Sequence, residues 1–168
     1  MNNVEINKQV KLSQHFTLGE LCKTSVKTKD GNIPSHVAIE NLRRITGWLE
    51  MLRSEYNKRY SLPLAPSQER GNYEQPIVIN SGYRSPEVNK LVGGVATSNH
   101  LTGCAVDIRV LGMEQLLRYA VILLDISDES QEDFDELLIE RNSKGSYWLH
   151  FAVRPEGNRR KIRLFLDT

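Results

Sequence analysis

The chain has 168 residues, of which 39% are hydrophobic and 26% are charged, a composition typical of one globular domain able to bury a core. Its formal net charge of +1 argues against nucleic acid or an acidic membrane surface as a partner. Two cysteines do not make a disulfide framework, and no run approaches the roughly 18 apolar residues of a membrane span. The first residues, M-N-N-V-E-I-N-K, lack the pattern of a secretory signal, so we expect synthesis in the cytoplasm.

Two helices are predicted in the first third of the chain. Thr17-Leu18-Gly19-Glu20 has the form of a capping box and predicts a short helix to about Lys23. A long amphipathic helix is predicted from Ser35, because apolar residues then recur at steps of three and four. Its apolar stripe consists of Ala38, Leu42, Ile45, Leu49, Leu52 and Tyr56.

The middle of the chain predicts a loop, a strand and a helix. Residues 61–75 are rich in Pro, Gly and polar residues and are predicted to be a loop. Residues 77–79, I-V-I, predict a buried strand that ends in S-G-Y-R-S-P. Ser85 can cap a following helix that has Pro86 at its first position and stops at Gly93-Gly94.

The last third predicts most of the sheet. Residues 104–110 alternate as a strand, and 113–126 are apolar enough for a packed helix. Residues 137–140 and 147–153 predict a hairpin across N-S-K-G, and 161–166 predict a last strand. We therefore expect an α+β fold over residues 1–168, a single domain with an antiparallel sheet flanked by helices.

The decapeptide S-N-H-L-T-G-C-A-V-D brings together two residues with metal-binding side chains, His100 and Asp107. Fully extended, the segment would separate them by roughly 23 Å, whereas two ligands of one zinc ion lie within about 3.5 Å of each other. The segment must therefore fold back for the two to share an ion. Thr102-Gly103 is where it can, because glycine tolerates a positive φ angle and a close backbone approach.

A second histidine, His150, lies in Y-W-L-H-F, where an alternating strand puts it on the same face as Trp148 and Ala152. Two histidines and one carboxylate form the ligand set of a hydrolytic zinc site that leaves a fourth position for water. The H-E-x-x-H pattern of helical zinc proteases is absent from the chain.

A zinc hydrolase also needs a general base and a group that binds negative charge. Glu140 is the candidate base if it pairs opposite Trp148, because it then lies diagonally from His150; a shift of one residue would turn it to the other face. Asp135 is the alternative base. Arg84, after the buried strand, is the candidate anion-binding residue, since a guanidinium can grip a carboxylate with two hydrogen bonds.

These residues resemble the zinc D-alanyl-D-alanine metallopeptidases, whose pattern S-x-H-x-x-G-x-A-x-D fits the decapeptide. S-G-Y-R-S-P, L-S-Q-H-F-T-L-G-E-L and W-L-H-F followed by G-N-R-R also look like the carboxypeptidase-like phage and bacterial branch, so the resemblance spans about residues 12–163. It implies Zn²⁺ ligands at His100, Asp107 and His150, and the fold shared with Hedgehog signalling domains. It further implies that Arg84 binds the substrate and that Ser98 supports the zinc loop.

One departure affects the base. Several members of the family place the catalytic acid three residues before the last histidine, where this chain has Tyr147, and the related branch suggests Glu140 instead.

The resemblance implies a peptidase that acts on peptidoglycan stem or cross-bridge peptides, including D-amino acids. The missing signal pattern suits an endolysin released to the cell wall by a holin-type route, and it also suits a cytoplasmic dipeptidase or recycling enzyme. The rival hypothesis is a non-catalytic, zinc-stabilised peptidoglycan-binding or phage structural module, because a fold alone does not fix a function.

Overall fold

The computed structural model describes residues 9–60 and 74–167, with side chains to residue 164. Most of the predicted loop at 61–75 therefore lies outside the described residues. The helices are α1 (Leu18–Leu21), α2 (His36–Tyr60), α3 (Pro86–Leu91) and α4 (Met113–Ser130), with a 3-10 helix at Asn99–Thr102. The strands are β1 (Ile79–Ser81), β2 (Ala105–Arg109), β3 (Glu136–Arg141), β4 (Tyr147–Ala152) and β5 (Lys161–Asp167).

The two N-terminal helices begin where their capping and apolar patterns predict. Thr17 and Glu20 form the capping box, with the Glu20 side chain accepting from the Thr17 backbone N–H at 2.8 Å. The helix ends at Leu21, short of the predicted Lys23. All six residues of the predicted α2 stripe are buried, and Tyr56 packs edge-on against Tyr119 of α4 with ring centroids 4.8 Å apart. The two long helices therefore share one core.

The five strands form one sheet in the order β1-β2-β4-β3-β5. The α+β class is confirmed, and three of the four strand pairs are antiparallel as predicted. The pair β3–β5 is parallel, which corrects the prediction of a purely antiparallel sheet. The reason is topological: β4 ends at Ala152, opposite Glu136, and β5 begins at Lys161, beside the same residue, so β5 starts where β4 ends and runs in the opposite direction to β4. The strand predicted at 77–79 lies two residues later, where Ser81 pairs with Asp107.

The two faces of the sheet differ in chemistry. Val106, Ile139, Leu149 and Phe151 belong to the buried hydrophobic core, and Phe151 packs on Trp48 of α2 with ring centroids 5.4 Å apart. Because side chains alternate along a strand, the intervening residues point to the opposite face. That face carries Asp107, Arg109, Glu136, Glu140, Trp148 and His150.

No helix within residues 9–60 and 74–167 is long and apolar enough to cross a bilayer. That the whole of residues 1–168 makes one zinc peptidase domain stays a prediction.

Candidate metal centre

Three buried side chains converge on the polar face of the sheet. His100 Nε2 lies 3.2 Å and His150 Nδ1 lies 2.9 Å from the same atom, Asp107 Oδ1. The imidazole centroids are 5.1 Å apart with an interplanar angle of 66°. One potential ligand atom from each residue lies within 4.8 Å of the others. The three residues that the sequence singled out are thus close enough to share an ion.

The fold-back between the first two ligands occurs at the predicted glycine. Gly103 ends the 3-10 helix in the left-handed region with φ 73°. A Cβ there would also lie 2.5 Å from the Ala38 carbonyl oxygen of α2, so the position excludes a side chain on two grounds. Asn41 of α2 donates to the Thr102 carbonyl oxygen at 2.9 Å and fixes the turn against that helix.

Ser98 caps the 3-10 helix that carries the first ligand. Its hydroxyl oxygen accepts from the backbone N–H of His100 at 3.3 Å. This contact agrees with the supporting role that the family resemblance implies for Ser98, which acts on the loop through the backbone.

The orientation of the His100 ring is set by a backbone carbonyl. His100 Nδ1 lies 2.6 Å from the Gly82 carbonyl oxygen. A carbonyl can only accept, so Nδ1 donates, and Nε2 is the nitrogen that faces Asp107 and would offer its lone pair to a metal ion. Gly82 is held close to α1, where an added Cβ would lie 2.3 Å from the Leu21 carbonyl oxygen. Sequence reasoning did not single out Gly82, although it lies inside the S-G-Y-R element.

A second residue that sequence reasoning missed is Glu136 at the start of β3. Its Oε2 lies 3.5 Å from His150 Nε2, the nitrogen on the far side of the ring from Asp107. The sequence contained one signal that could have identified Glu136. Glu136 and the candidate base Glu140 are four residues apart in a strand, so their side chains lie on the same face of β3.

The electrostatics of the cluster favour a negative Asp107. Burial alone would raise the pKa of Asp107, but the neighbouring His100 and His150 hold it well below its usual range. Burial alone would lower the pKa of His150, but its contacts with Asp107 and Glu136 raise it to about 9. Since metal ligands must be deprotonated, a bound cation would replace the proton that Asp107 and His150 attract between them.

Glu140 lies on the same face as the three ligands. It pairs opposite Trp148, and Leu138 pairs opposite His150, which is the one of the two registers left open by the sequence that the candidate role of Glu140 requires. Trp148 Nε1 donates to Glu140 Oε2 at 2.9 Å. Burial raises the pKa of Glu140, partly opposed by the nearby His150. A carboxyl group with a raised pKa is suited to accept and release a proton.

Asp135, the alternative base, lies in a different environment. It is fully buried and accepts two hydrogen bonds from Arg159, both at 2.7 Å. Asn99 Nδ2 donates to it at 2.8 Å, and Arg154 Nε lies 3.0 Å away. Burial would raise the pKa of Asp135, but the Arg159 and Asn99 hydrogen bonds lower it. Both oxygens of the Asp135 carboxylate are therefore held in ion pairs and hydrogen bonds, which makes it less suited than Glu140 to act as a base.

Arg84 contacts a candidate ligand directly. Its Nη2 donates to Asp107 Oδ2, and its Nε donates to Ser81 Oγ at 2.8 Å. The Arg84 side chain is 18% exposed. Arg84 thus reaches the metal-site carboxylate through the oxygen that the histidines do not share.

The donor set fits zinc. Two imidazole nitrogens and one carboxylate oxygen are the donors that zinc prefers, and three protein ligands leave a coordination position for water or substrate. Both imidazoles turn one nitrogen toward Asp107 Oδ1 and the other toward an acceptor, Gly82 or Glu136. Metal-ligating histidines show this arrangement in general.

A protein-family model described as Peptidase M15 matches residues 63–123, a range that includes Arg84, Ser98, His100 and Asp107 but ends before Glu140 and His150. No curated protein matches the chain. Taken with the buried His-Asp-His group, the match supports the assignment of the chain to the zinc D-alanyl-D-alanine carboxypeptidase-like peptidases of family M15.

Proposed function

We propose that this protein is a zinc peptidase that hydrolyses stem or cross-bridge peptides of bacterial peptidoglycan, with D-amino acids at the cleaved bond. The observation that carries the proposal is the convergence of His100, Asp107 and His150 beside Glu140 on one sheet face. A ligand set, an open coordination position and a base on the same face are the parts that metal-assisted hydrolysis requires.

The ligands would be His100 Nε2, Asp107 Oδ1 and His150 Nδ1. Zinc held there would supply a Lewis acid that activates water and polarises the scissile carbonyl. Glu140 would take the proton from the attacking water and pass it to the leaving amine. Its Oε2 accepts from the Trp148 indole, so Oε1 is the oxygen available to carry this proton.

Arg84 would bind negative charge on the substrate. Two of its nitrogens contact Asp107 and Ser81, and Nη1 would be the nitrogen that binds a substrate carbonyl or carboxylate. The positive charge stays near the metal ligands because Asp107 anchors it. The same contact holds the Asp107 carboxylate in place beside the two histidines.

The substrate class follows from the resemblance of S-N-H-L-T-G-C-A-V-D to the metallopeptidases that cleave peptidoglycan peptides. An endolysin of phage origin that reaches the cell wall through a holin-type route is the biological setting we propose.

Release of new amino groups from purified peptidoglycan tests the proposal. We expect release with the zinc-loaded protein, loss of release after treatment with a chelator, and recovery after zinc is added back. A protein that binds zinc stoichiometrically and binds peptidoglycan without releasing amines would contradict the proposal and favour the non-catalytic module.

The ligand assignment has its own test. His150→Ala removes one of three ligands, so the variant should lose stoichiometric zinc in metal analysis together with its hydrolytic activity. His36→Ala is the matched control, because His36 lies at the start of α2 outside the candidate centre. A His150→Ala protein that keeps one zinc per chain and full activity would refute the assignment.

A further inference from the structure

We propose that Glu136 is a positioning residue that fixes the His150 ring so that Nδ1, rather than Nε2, faces the metal ion. The inference rests on the proposed zinc function and assigns a role to a residue outside the candidate ligand set. It starts from an unusual feature of His150: its Nε2 is buried and makes no hydrogen bond to any described residue. A buried polar nitrogen without a partner is costly, which calls for an explanation.

The nearest charged group to this nitrogen is the Glu136 carboxylate. Its Oε2 lies 3.5 Å away, slightly too far for a hydrogen bond, while His150 Nδ1 lies 2.9 Å from Asp107 Oδ1. The ring therefore spans two carboxylates, one on each side. A shift of a few tenths of an ångström toward Glu136 would complete the hydrogen bond from Nε2.

Glu136 is itself held in place from three directions. It accepts from Lys161 Nζ at 2.8 Å, from Arg159 Nη2 at 2.9 Å and from Asn99 Nδ2 at 3.0 Å. These donors come from β5, from the loop before β5 and from the 3-10 helix. Because the side chain is only 13% exposed and its partners are mainly cationic, the carboxylate is both ionised and fixed in position.

An ionised acceptor at this position selects one protonation pattern of the ring. With the proton on Nε2 directed at Glu136, Nδ1 faces Asp107 Oδ1, the atom that His100 Nε2 also faces, and would offer its lone pair there to a bound ion. A neutral imidazole has one donor and one acceptor nitrogen, so fixing the donor also fixes the acceptor. Carboxylate partners of metal-ligating histidines act in this way and increase ligand basicity.

The same carboxylate also contacts the segment that carries the first ligand. Asn99, which donates to Glu136, is the residue immediately before His100. Glu136 therefore connects the 3-10 helix to β4 through two contacts on one side chain. Loss of its charge should disturb His150 directly and the His100 segment indirectly.

The test compares zinc affinity in two glutamate variants, measured by competition with a chromogenic chelator. Glu136→Gln keeps the shape of the side chain and removes its charge, and we expect a loss of zinc affinity of roughly 10- to 100-fold. Glu156→Gln removes a charge from an exposed glutamate in the loop before β5 and should leave the affinity unchanged. Thermal unfolding of both variants in chelator separates lost affinity from lost folding. Wild-type affinity in a folded Glu136→Gln protein would overturn the inference.

A second measurement needs no variant. Long-range ¹H–¹⁵N spectra of the zinc-loaded wild-type protein report which nitrogen of His150 carries the proton. We expect a protonated Nε2 and a metal-bound Nδ1. The reverse pattern would overturn the inference even if Glu136→Gln fails to fold.

The two proposals can fail separately. Zinc binding through Nδ1 without peptide hydrolysis would support the role of Glu136 and refute the proposed activity. Hydrolysis with unchanged zinc affinity in Glu136→Gln would refute only the role of Glu136. A wild-type protein that binds no zinc would refute both.

Discussion

Glu136 and Glu140 lie on the same face of the same strand, four residues apart, yet the charge of their hydrogen-bond partners differs. Glu136 accepts from Lys161 and Arg159, and its contacts with His150 and Lys161 lower its pKa well below the usual range. Glu140 accepts from the neutral indole of Trp148, and burial raises its pKa. One carboxylate is surrounded by cations and the other is mainly desolvated.

Because their pKa values differ in direction, Glu136 and Glu140 are suited to different roles. A carboxylate with a lowered pKa stays ionised and can orient a histidine, but it is a weak base. A carboxylate with a raised pKa can hold a proton for part of a reaction cycle. The neighbours of each glutamate, rather than its type or its strand, therefore decide its role.

The strongest test of the comparison is Glu140→Gln. The variant should lose roughly 10²- to 10⁴-fold in kcat for peptide hydrolysis, because no group remains to take the water's proton. Its zinc content should remain at one per chain, since Glu140 is not in the candidate ligand set. Steady-state kinetics and metal analysis on the same sample check both expectations.

Glu114→Gln is the matched control, because Glu114 lies in the first turn of α4 and is not among the candidate site residues. If Glu140→Gln keeps wild-type turnover, another group is the base and the assigned division between the two glutamates is wrong.

The next largest effect should be on folding. Asp135→Asn removes the charge that Arg159 and Arg154 surround, next to Glu136 in the chain. We expect the free energy of unfolding to fall by roughly 3 kcal/mol, because the variant leaves cations without their buried partner. Turnover of the folded variant should stay close to wild type. A rate loss like that of Glu140→Gln would instead identify Asp135 as the base.

This effect should depend on pH in a defined direction. The pKa of Asp135 is lowered in the folded protein, so its contribution to stability is present above its ordinary pKa of about 3.9 and is lost as pH falls below it. Denaturant unfolding should therefore show the two proteins converging below about pH 4. Asp133→Asn, at a more exposed contact with Arg160, should show a much smaller difference.

Local patterns in the sequence were sufficient to predict most helices and strands. The capping box at Thr17 and the apolar stripe of α2 depend on neighbours within one or two turns, and both were confirmed. The parallel pairing of β5 with β3 depends on where a strand returns in space, and strand alternation is the same for either direction. A single sequence therefore predicts the strand without predicting its partner.

The candidate site also has parts that the local sequence predicts and parts that depend on the fold. His100, Asp107 and Gly103 lie within one short motif, so the hypothesis of a shared ion required a fold-back at Thr102-Gly103, and the structure contains one. The contact of Arg84 with Asp107 and that of Glu136 with His150 join residues far apart in the chain. Such contacts leave no periodic signal, and only the fold brings these residues together.

The smallest expected effect is a shift in the pKa of Glu140 when its hydrogen bond from Trp148 is removed. Trp148 Nε1 donates to Glu140 Oε2, which stabilises the ionised form and so lowers the pKa. Trp148→Phe removes this donor and keeps an aromatic ring, so the pKa of Glu140 should rise. Because the base must be deprotonated to act, the acidic limb of the kcat/KM profile should move to higher pH, by about one unit.

Trp48→Phe is the matched control for this shift. Trp48 packs against Phe151 in the core, on the opposite face of the sheet, so its replacement should lower the melting temperature without moving the limb. A Trp148→Phe profile that coincides with wild type would mean that the limb reports a different group. The raised pKa of Glu140 would then have no part in catalysis, and its contrast with Glu136 would be one of environment alone.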